Sequence, residues 1–544
     1  MKDKIIELLD GSRFDDEANK IYKAPVSKLP TIGMYDKKTE MTIEEIDFEH
    51  EDVWEMIVGF IQHHQTHQVP RLEELRRYAE ADNNINYRKA KPQGRADNRI
   101  ASDFANFIVT FKKGVLLGNP LKYSGDKTIS DKVNEFAKES NEDYHNQLMA
   151  EDLFTYGRAY EWVGRDEFGK ETLTKLDVKE TFIIYDTSKA RNSLCAVNYY
   201  NIEYLGETTT HIDVYANDGT NYYRECQNQN YKEAKVVDQQ PSYFNTVQIN
   251  EWINNEKRLS DFEAVLDRID AYDLSQSEMA NFQQDLSEAM LVIKGNPDTF
   301  KKEDGSLDTK GLDYTIKNRI MILGDKKTYD DNQTGSEPDA SYLVKKYDTT
   351  GVEAYNDRLV ADILRFTALI DFTDENIGSN QSGIGFRFKG WGSDNDRKNK
   401  ERMIKKAIMR RLRLLTYSWS IKEDINRPKG LIDVVKSIFV PSTNKQQESL
   451  YDKANDVEIL FTPNVPQSDE EIMKVITGMA GLVSDETICE MASRLTGVSA
   501  EEELKRIKKE AKPLDLFDQD KNDEEEAKEE LNKEVEVDEP KGIH

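Results

Sequence analysis

The sequence predicts an α+β protein of several domains, with long helices, a β-rich region and a small α/β excursion between two of the helices. Three observations carry this. Apolar residues recur at three-and-four spacing over residues 95–118, 261–290, 352–370 and 397–413. From about residue 156 to 244 the pattern turns to short apolar runs and alternation, as in TFIIYD (181–186) and HIDVYA (211–216). Residues 291–352 alternate short strands (LVIK, IMIL, SYLVKKY) with turns rich in Gly, Asp and Asn, and helical segments flank them.

Composition bounds the function. A chain of 544 residues holds two to four domains at ~150 residues each. Hydrophobic content of 37% against 33% charged is polar for one compact globule, which favours an elongated shape, many exposed faces or some disorder. The net charge is −28, and residues 512–544, with 13 acidic and 5 basic side chains, supply −8 of it. That tail has little to bury and is expected to be disordered. The remaining −20 opposes tight binding of a phosphate backbone, so DNA near this protein is expected to pass rather than stick. Cys195, Cys226 and Cys489 lie far apart, form no CxxC pair and fit a reducing compartment. The opening MKDKIIELLDGSRFDDEANK is charged from the start, and no apolar run approaches ~18 residues. A soluble protein made inside a cell, with no membrane partner, is expected.

Taken in order, residues 1–50 are polar and poorly periodic. Two helices are expected over 53–80, with Trp54, Ile57, Val58 and Ile61 on one face and Pro70 at the break. His63 and His67 stand one turn apart, but no Glu follows His63 and no third ligand is evident, so the reading is a solvated helix end rather than a metal site. A loop over 82–94 leads into the helix expected at 95–118. There Ile100, Phe104, Phe107, Ile108, Phe111 and Val115 form the apolar stripe, Lys112 and Lys113 oppose the dipole, and Gly118-Asn119-Pro120 stops the helix. A further helix is expected over 131–150. Asn217-Asp218-Gly219 signals a hairpin.

Ser260 and Glu263 make a capping box for a helix over 261–290, a rod of ~45 Å at ~1.5 Å per residue. Its periodic positions are Phe262, Val265, Leu266, Ile269 and Tyr272. The helix over 352–370 carries Tyr355, Leu359, Ile363, Phe366 and Ile370 on one face. Residues 371–392 form a glycine-rich loop that lacks a dinucleotide fingerprint, and no GxxxxGK[ST] occurs anywhere. Asp371, Asp374 and Glu375 are clustered acids, read as solvated groups or caps before metal ligands. Residues 397–413 hold nine basic residues and one acid on an amphipathic helix. It has two readings: contact with a membrane or nucleic acid, or pairing with carboxylates of this chain or another subunit. A strand over 455–466 precedes three short helices, with capping boxes at Ser468/Glu471 and Ser499/Glu502 and an N-cap at Ser484.

Four stretches carry a family resemblance: RADNRIASDFANFIVTFKKGVLLGNPLKY, TFIIYD, NEWINNEKRLSDFEAVLDRIDAYDLSQSEMANFQQDLSEAMLVIKG and YNDRLVADILRFTALIDFTDENIGSNQSGIGFRFKGWG, supported by NDVEILFTPNVPQSDEEI. Their order, spanning most of residues 95–510, resembles the portal proteins of tailed bacteriophages, in the branch typical of phages of Gram-positive bacteria. The first 80 residues and the acidic tail are not covered. The resemblance implies a multi-domain portal fold assembled as a closed homo-dodecameric ring at one capsid vertex, with DNA entering and leaving through its channel. It assigns residues 1–258 and 393–465 to the wing, 259–290 and 352–371 to stem helices, 291–351 to a clip, 372–392 to a tunnel loop, 466–511 to a crown, and 512–544 to the acidic tail. Phe262, Val265, Ile269, Tyr355, Leu359 and Ile363 then belong to the stem.

In the tunnel loop, Asn376, Ser379, Asn380, Gln381 and Ser382 are the residues expected to touch passing DNA transiently, with Arg387 and Lys389 as candidate phosphate contacts. The implied partners are the terminase packaging motor, head-completion and adaptor proteins, major capsid and scaffolding proteins, and double-stranded DNA. The implied location is the virion, after synthesis in the host cytoplasm. No catalytic residue, metal or cofactor is expected. Two rival readings stand beside this: a capsid-associated adaptor or scaffold without a channel, and a metal-dependent DNA-processing enzyme using Asp371 and Asp374.

Overall fold

The computed structural model describes residues 16–36, 41–92, 95–242, 244, 246–286, 290–294, 306, 310, 313, 320–323, 340–343, 348–370, 390–426, 453–464, 469–496, 498 and 500–510. The chain divides into two compact units, Met1–Asn464 and Val465–His544.

The first unit begins with β1 (Tyr22–Ala24), β2 (Thr31–Asp36) and β3 (Met41–Ile46). Helices α1 (Glu51–His63) and α2 (Val69–Ala79) follow, joined through a π turn at His64–Gln68. The expected break at Pro70 is therefore no break. Pro70 sits in the first turn of α2, where a missing N–H costs nothing.

Residues 95–103 are not helical, and α3 covers only Phe104–Leu117. Its buried face is Ala105, Ile108, Val109, Lys112 and Leu116, whereas Ile100 and Phe107 are exposed, so the expected stripe is rotated. β4 (Lys122–Ser124) precedes α4 (Lys127–Glu139) and α5 (Glu142–Tyr156). The single helix expected over 131–150 is split at Ser140-Asn141, where Asn141 takes the left-handed φ of 50°.

Then come β5 (Arg158–Arg165), β6 (Glu171–Leu176), β7 (Thr181–Asp186), β8 (Ser193–Tyr204), β9 (Glu207–Ala216), β10 (Thr220–Gln227), β11 (Lys235–Pro241) and β12 (Ile249–Ile253). A six-stranded sheet runs β1-β7-β8-β9-β10-β11, antiparallel except for the β1–β7 pair, and a second sheet runs β12-β5-β6. The hairpin at Asn217-Asp218-Gly219 forms as read: Asp218 Oδ1 accepts from the Thr220 N–H at 2.7 Å and Gly219 takes φ 82°.

TFIIYD is nearly continuous in burial because both faces of β7 are covered. Phe182 and Ile184 face α1 through Trp54, Ile57 and Ile61, and Ile183 faces Leu72, Tyr160 and Ile249. The largest apolar core joins α2–α5, β5, β12, β16 (Glu458–Leu460) and the helices described next.

Helix α6 (Leu266–Leu286) is preceded by a 3-10 turn, and its 21 residues make a rod of ~32 Å rather than ~45 Å. β13 (Met290–Lys294), β14 (Ile320–Leu323) and β15 (Ala340–Leu343) form a separate sheet, β13 parallel to β14 and antiparallel to β15. Helix α7 (Thr349–Phe366) packs along α6, and α8 (Trp391–Asn426) runs 36 residues, ~54 Å. β16 pairs with β4.

The second unit holds α9 (Asp469–Met479), α10 (Asp485–Thr496) and α11 (Ala500–Glu510). Ser484 caps α10 by accepting from the Thr487 N–H at 3.3 Å. No described helix is long and apolar enough to cross a membrane.

Candidate functional site

The polar chemistry of the first unit concentrates where α6 and α7 join the core. Ser260 and Glu263 make half of the expected capping box. Glu263 accepts from the Ser260 N–H at 3.1 Å, but Ser260 Oγ accepts from Phe262 N–H and donates to the Phe154 carbonyl at 3.0 Å. Arg71 grips the Glu263 carboxylate with both Nε and Nη2, at 2.7 and 2.5 Å. These bonds tighten the first turn and delay the α-helix to Leu266.

Asp261, its carboxylate 6% exposed, is the centre of an ion cluster. Its Oδ1 accepts from Lys400 Nζ at 2.5 Å and Asn254 Nδ2 at 2.7 Å, and Lys112 Nζ lies 3.3 Å from its Oδ2 and 2.9 Å from Asp396. Burial alone would raise the Asp261 pKa; Lys400 and Lys112 overcome this and hold it below the usual carboxylate range. In the sequence reading Lys112 is set against the dipole near the end of α3. It is instead drawn inward by two carboxylates, and this explains the rotated face of α3. Lys113 pairs with Glu151 at 2.7 Å. A cavity of about 230 Å³ borders the cluster, lined by Lys112, Ser260, Asp261, Thr367 and Asp396 among others.

A second feature explains why residues 95–103 are not helical. Alternate backbone N–H groups of this segment donate to side chains one turn apart on α6: Asn98 to Asn281 Oδ1 at 2.6 Å, Ile100 to Ser277 Oγ at 2.9 Å, Ser102 to Asp273 Oδ1 at 2.9 Å. Four helical residues rise ~6 Å and two extended residues advance ~6.6 Å, so the two repeats stay in step. Asp273, Ser277 and Asn281 are all buried, and the bonds satisfy them. The sequence signal was a polar residue every fourth position in α6, which apolar periodicity alone passes over.

The third feature is α8. Its inner face buries Ile404, Ile408, Leu412, Leu415 and the wholly enclosed Arg411. Arg411 Nη2 donates to Glu161 at 2.6 Å and Asn146 at 2.9 Å, Nε to both Glu161 oxygens at 3.1 Å, and Nη1 to Glu142. Glu161 also accepts from Asn250 at 2.7 Å and bonds His145 at 3.0 Å. Burial pushes Glu161 upward, but Arg411, with hydrogen bonds from His145 and Arg411, holds it far below the usual range. Of the two readings of the basic helix, carboxylate pairing within the chain holds for Arg397, Lys398, Lys400 and Arg411.

Among the six residues assigned to the paired helices, Phe262, Val265, Ile269 and Ile363 are fully buried and join the main core, and Leu359 is buried. Tyr355 is 51% exposed, and Phe366 is exposed with the Arg268 guanidinium 4.7 Å over its ring. The core stripe of α7 therefore stops short of its N-terminal half, where Glu353, Ala354, Asp357 and Arg358 are also exposed. Asn376, Ser379, Asn380, Gln381, Ser382, Arg387 and Lys389 lie outside the described residues, as do Asp371, Asp374, Glu375, Ser468 and Ser499.

His63 is no solvated helix end. It stacks on His67 at 4.4 Å, and its two ring nitrogens bond Tyr22 at 3.1 Å and Glu17 at 2.7 Å, while the neighbouring His64 is buried against Tyr199. Among the described residues no group of three or more His, Cys, Asp or Glu is placed to hold a metal ion. Chemically, the site is a set of buried ion pairs that fix where two long helices leave a core.

The class to which such a chain belongs is given by its sequence. The sequence model described as phage portal protein, SPP1 Gp6-like, matches residues 58–513. The chain belongs to the phage portal proteins, and within them to the SPP1 Gp6-like family, which makes it a structural component of a bacteriophage virion at the capsid vertex. Solved structures similar to it include a chain of the virion of a native gene transfer agent particle, at 10% identity, TM-score 0.34, covering 78% of this chain and 93% of that one. Another is a chain of the neck of a native gene transfer agent particle computed with C12 symmetry, at 9% identity, TM-score 0.36, covering 71% and 88%. No curated protein sequence matches.

Proposed function

We propose that this protein assembles as a closed ring of twelve copies at one capsid vertex, and that double-stranded DNA is packaged and ejected through the ring's channel. The observation that carries the reading is the family match over residues 58–513. The paired helices α6 and α7, with the β13–β15 sheet between them in sequence, act as stem and clip, and the clip docks the packaging motor and later the head-completion proteins. Residues 372–392 form the tunnel loop, residues 1–258 and 393–465 the wing, and residues 466–511 the crown. The protein does no chemistry; ATP hydrolysis belongs to the motor.

The physical chemistry agrees with this role. A chain of net charge −28 repels a phosphate backbone, and a wall that repels DNA lets it slide, with screening over ~8 to 10 Å at physiological salt. The buried ion clusters of Asp261 and Arg411 make the base of the stem stiff.

Negative-stain imaging with native mass measurement tests the reading. A ring with a central hole and a mass of about 750 kDa, twelve copies of the 62.8 kDa chain, is the expected result. Monomers or dimers under all salt conditions would refute self-assembly and return the adaptor reading.

A further inference from the structure

Helix α8 has an outer face that differs from its inner one. Arg402, Lys405, Lys406 and Arg413 are all exposed and fall on one side of the helix, at spacings of three, one and seven. They span about 17 Å. Among the described residues Arg402 donates to the side-chain oxygen of Asn399 at 3.0 Å, and Arg413 to that of Asn455 at 3.1 Å. Lys405 and Lys406 have no hydrogen-bond or ion-pair partner among the described residues. The contrast lies within one helix: Arg397, Lys398, Lys400 and Arg411 find carboxylates, and among the described residues these four do not.

This happens in a chain with 103 acidic and 75 basic residues. Carboxylates are in excess, so a random surface cation has more acids than bases to meet. Four cations with no carboxylate partner among the described residues are therefore a local reversal of the molecule's overall field. A second copy of the same chain brings that excess of acid with it. Its charge complements the stripe without any further component. The backbone beneath is held from the other side by Ile404, Ile408 and Leu412, so the stripe is presented on a rigid rod.

We propose that Arg402, Lys405, Lys406 and Arg413 are the contact face for an acidic surface of a second copy of this chain. This rests on the ring reading above and names one of its subunit contacts. Electrostatic contacts of this kind set register and association rate more than packing does, and salt weakens them.

The test uses the full chain in two forms, one isotopically heavy and one light, mixed as monomers and allowed to assemble. Zero-length carbodiimide coupling then joins lysine ammonium groups to carboxylates in contact. The expected result is heavy–light peptides that join Lys405 or Lys406 to an acidic residue. In parallel, Lys405→Glu with Lys406→Glu raises the concentration for half-assembly about tenfold in low salt and leaves the thermal melt of the monomer unchanged.

Cross-links at these lysines confined to heavy–heavy and light–light pairs place the acids in the same chain and overturn the proposal. So does a double variant that assembles like the wild type, an outcome that leaves the ring itself standing. A variant that forms normal rings but retains less double-stranded DNA assigns the stripe to nucleic acid and also overturns it. A wild-type chain that never assembles defeats the ring reading first, and this contact with it.

Discussion

Replacing Arg411 by Met tests whether the root of the paired helices depends on a buried charge balance. Met fills similar space but supplies no donor. Arg411→Met leaves Glu161 and Glu142 enclosed without their guanidinium, and strips the donors now bonded to Glu161, Glu142 and Asn146. Breaking one side of a buried pair costs about 3–5 kcal/mol. A chain this size need not unfold in two states, so the assay is native hydrogen exchange read at β5 and α8. The expected change is a rise in the local opening constant of roughly two to four decades.

The pH dependence supplies a sign. In the wild type Glu161 sits far below its ordinary value of 4.5, against the effect of burial and because of Arg411. Its contribution is complete above about pH 4.5 and is lost on acidification. Without Arg411, burial raises the folded pKa, so the variant is penalised as pH rises. The gap between the two proteins therefore narrows as pH falls. Adding Glu161→Gln and Glu142→Gln to Arg411→Met should recover much of the loss. A single variant that costs under about 1 kcal/mol, or a gap that is constant with pH, refutes the reasoning.

Three further outcomes are expected. Asp273→Ala removes the acceptor of the Ser102 N–H and of Asn83 Nδ2, at a cost of about 1–3 kcal/mol, seen as faster exchange at the Ser102 amide with little change at α10. Ile363→Ala costs about 2–5 kcal/mol in chemical denaturation, whereas Tyr355→Ala, on the exposed half of α7, stays within about 0.5 kcal/mol for the monomer; equal effects would contradict the burial. Burial pushes the Asp152 carboxyl up to about 6 against the opposing Lys175, so its folded pKa is raised and the stability it contributes is lost as pH rises through that value. Asp152→Asn should therefore improve the melting temperature more at about pH 8 than at about pH 4, and the same shift at both would refute the assignment.

Much of the architecture was legible because apolar periodicity reports burial directly. TFIIYD, the hairpin at Asn217-Asp218-Gly219, the strands of 290–343, the helix of 349–366 and the three helices after 469 all follow from period and turn chemistry. Two of the errors come from partners far away in sequence, and a third from the local backbone. Residues 95–103 carry helix-compatible spacing, but side-chain acceptors on α6 offer their N–H groups a better partner than their own carbonyls. α3 has two candidate stripes, and a lysine position chose between them, because Lys112 meets Asp261 and Asp396 from elements far away in sequence. Asn141 split a helix through a left-handed residue that a propensity sum does not register.

The same logic separates the two faces of α8. Nine cations in seventeen positions read as one basic surface in the sequence, since residue type alone does not say which carboxylate each will meet. In the fold, Lys400 and Arg411 are consumed by Asp261 and by Glu161 with Glu142, and they tie α8 to the base of α6 and to β5. One row is built into the foundation on which the paired helices stand, and the other is left facing outward. In the ring proposed above, each subunit would hold a stiff root while the subunits join reversibly during assembly. Buried, dehydrated ion pairs serve the first need because removing one member is costly. Under the subunit contact proposed above, exposed, salt-screened cations would serve the second, because each contact is weak and a closed ring would repeat it.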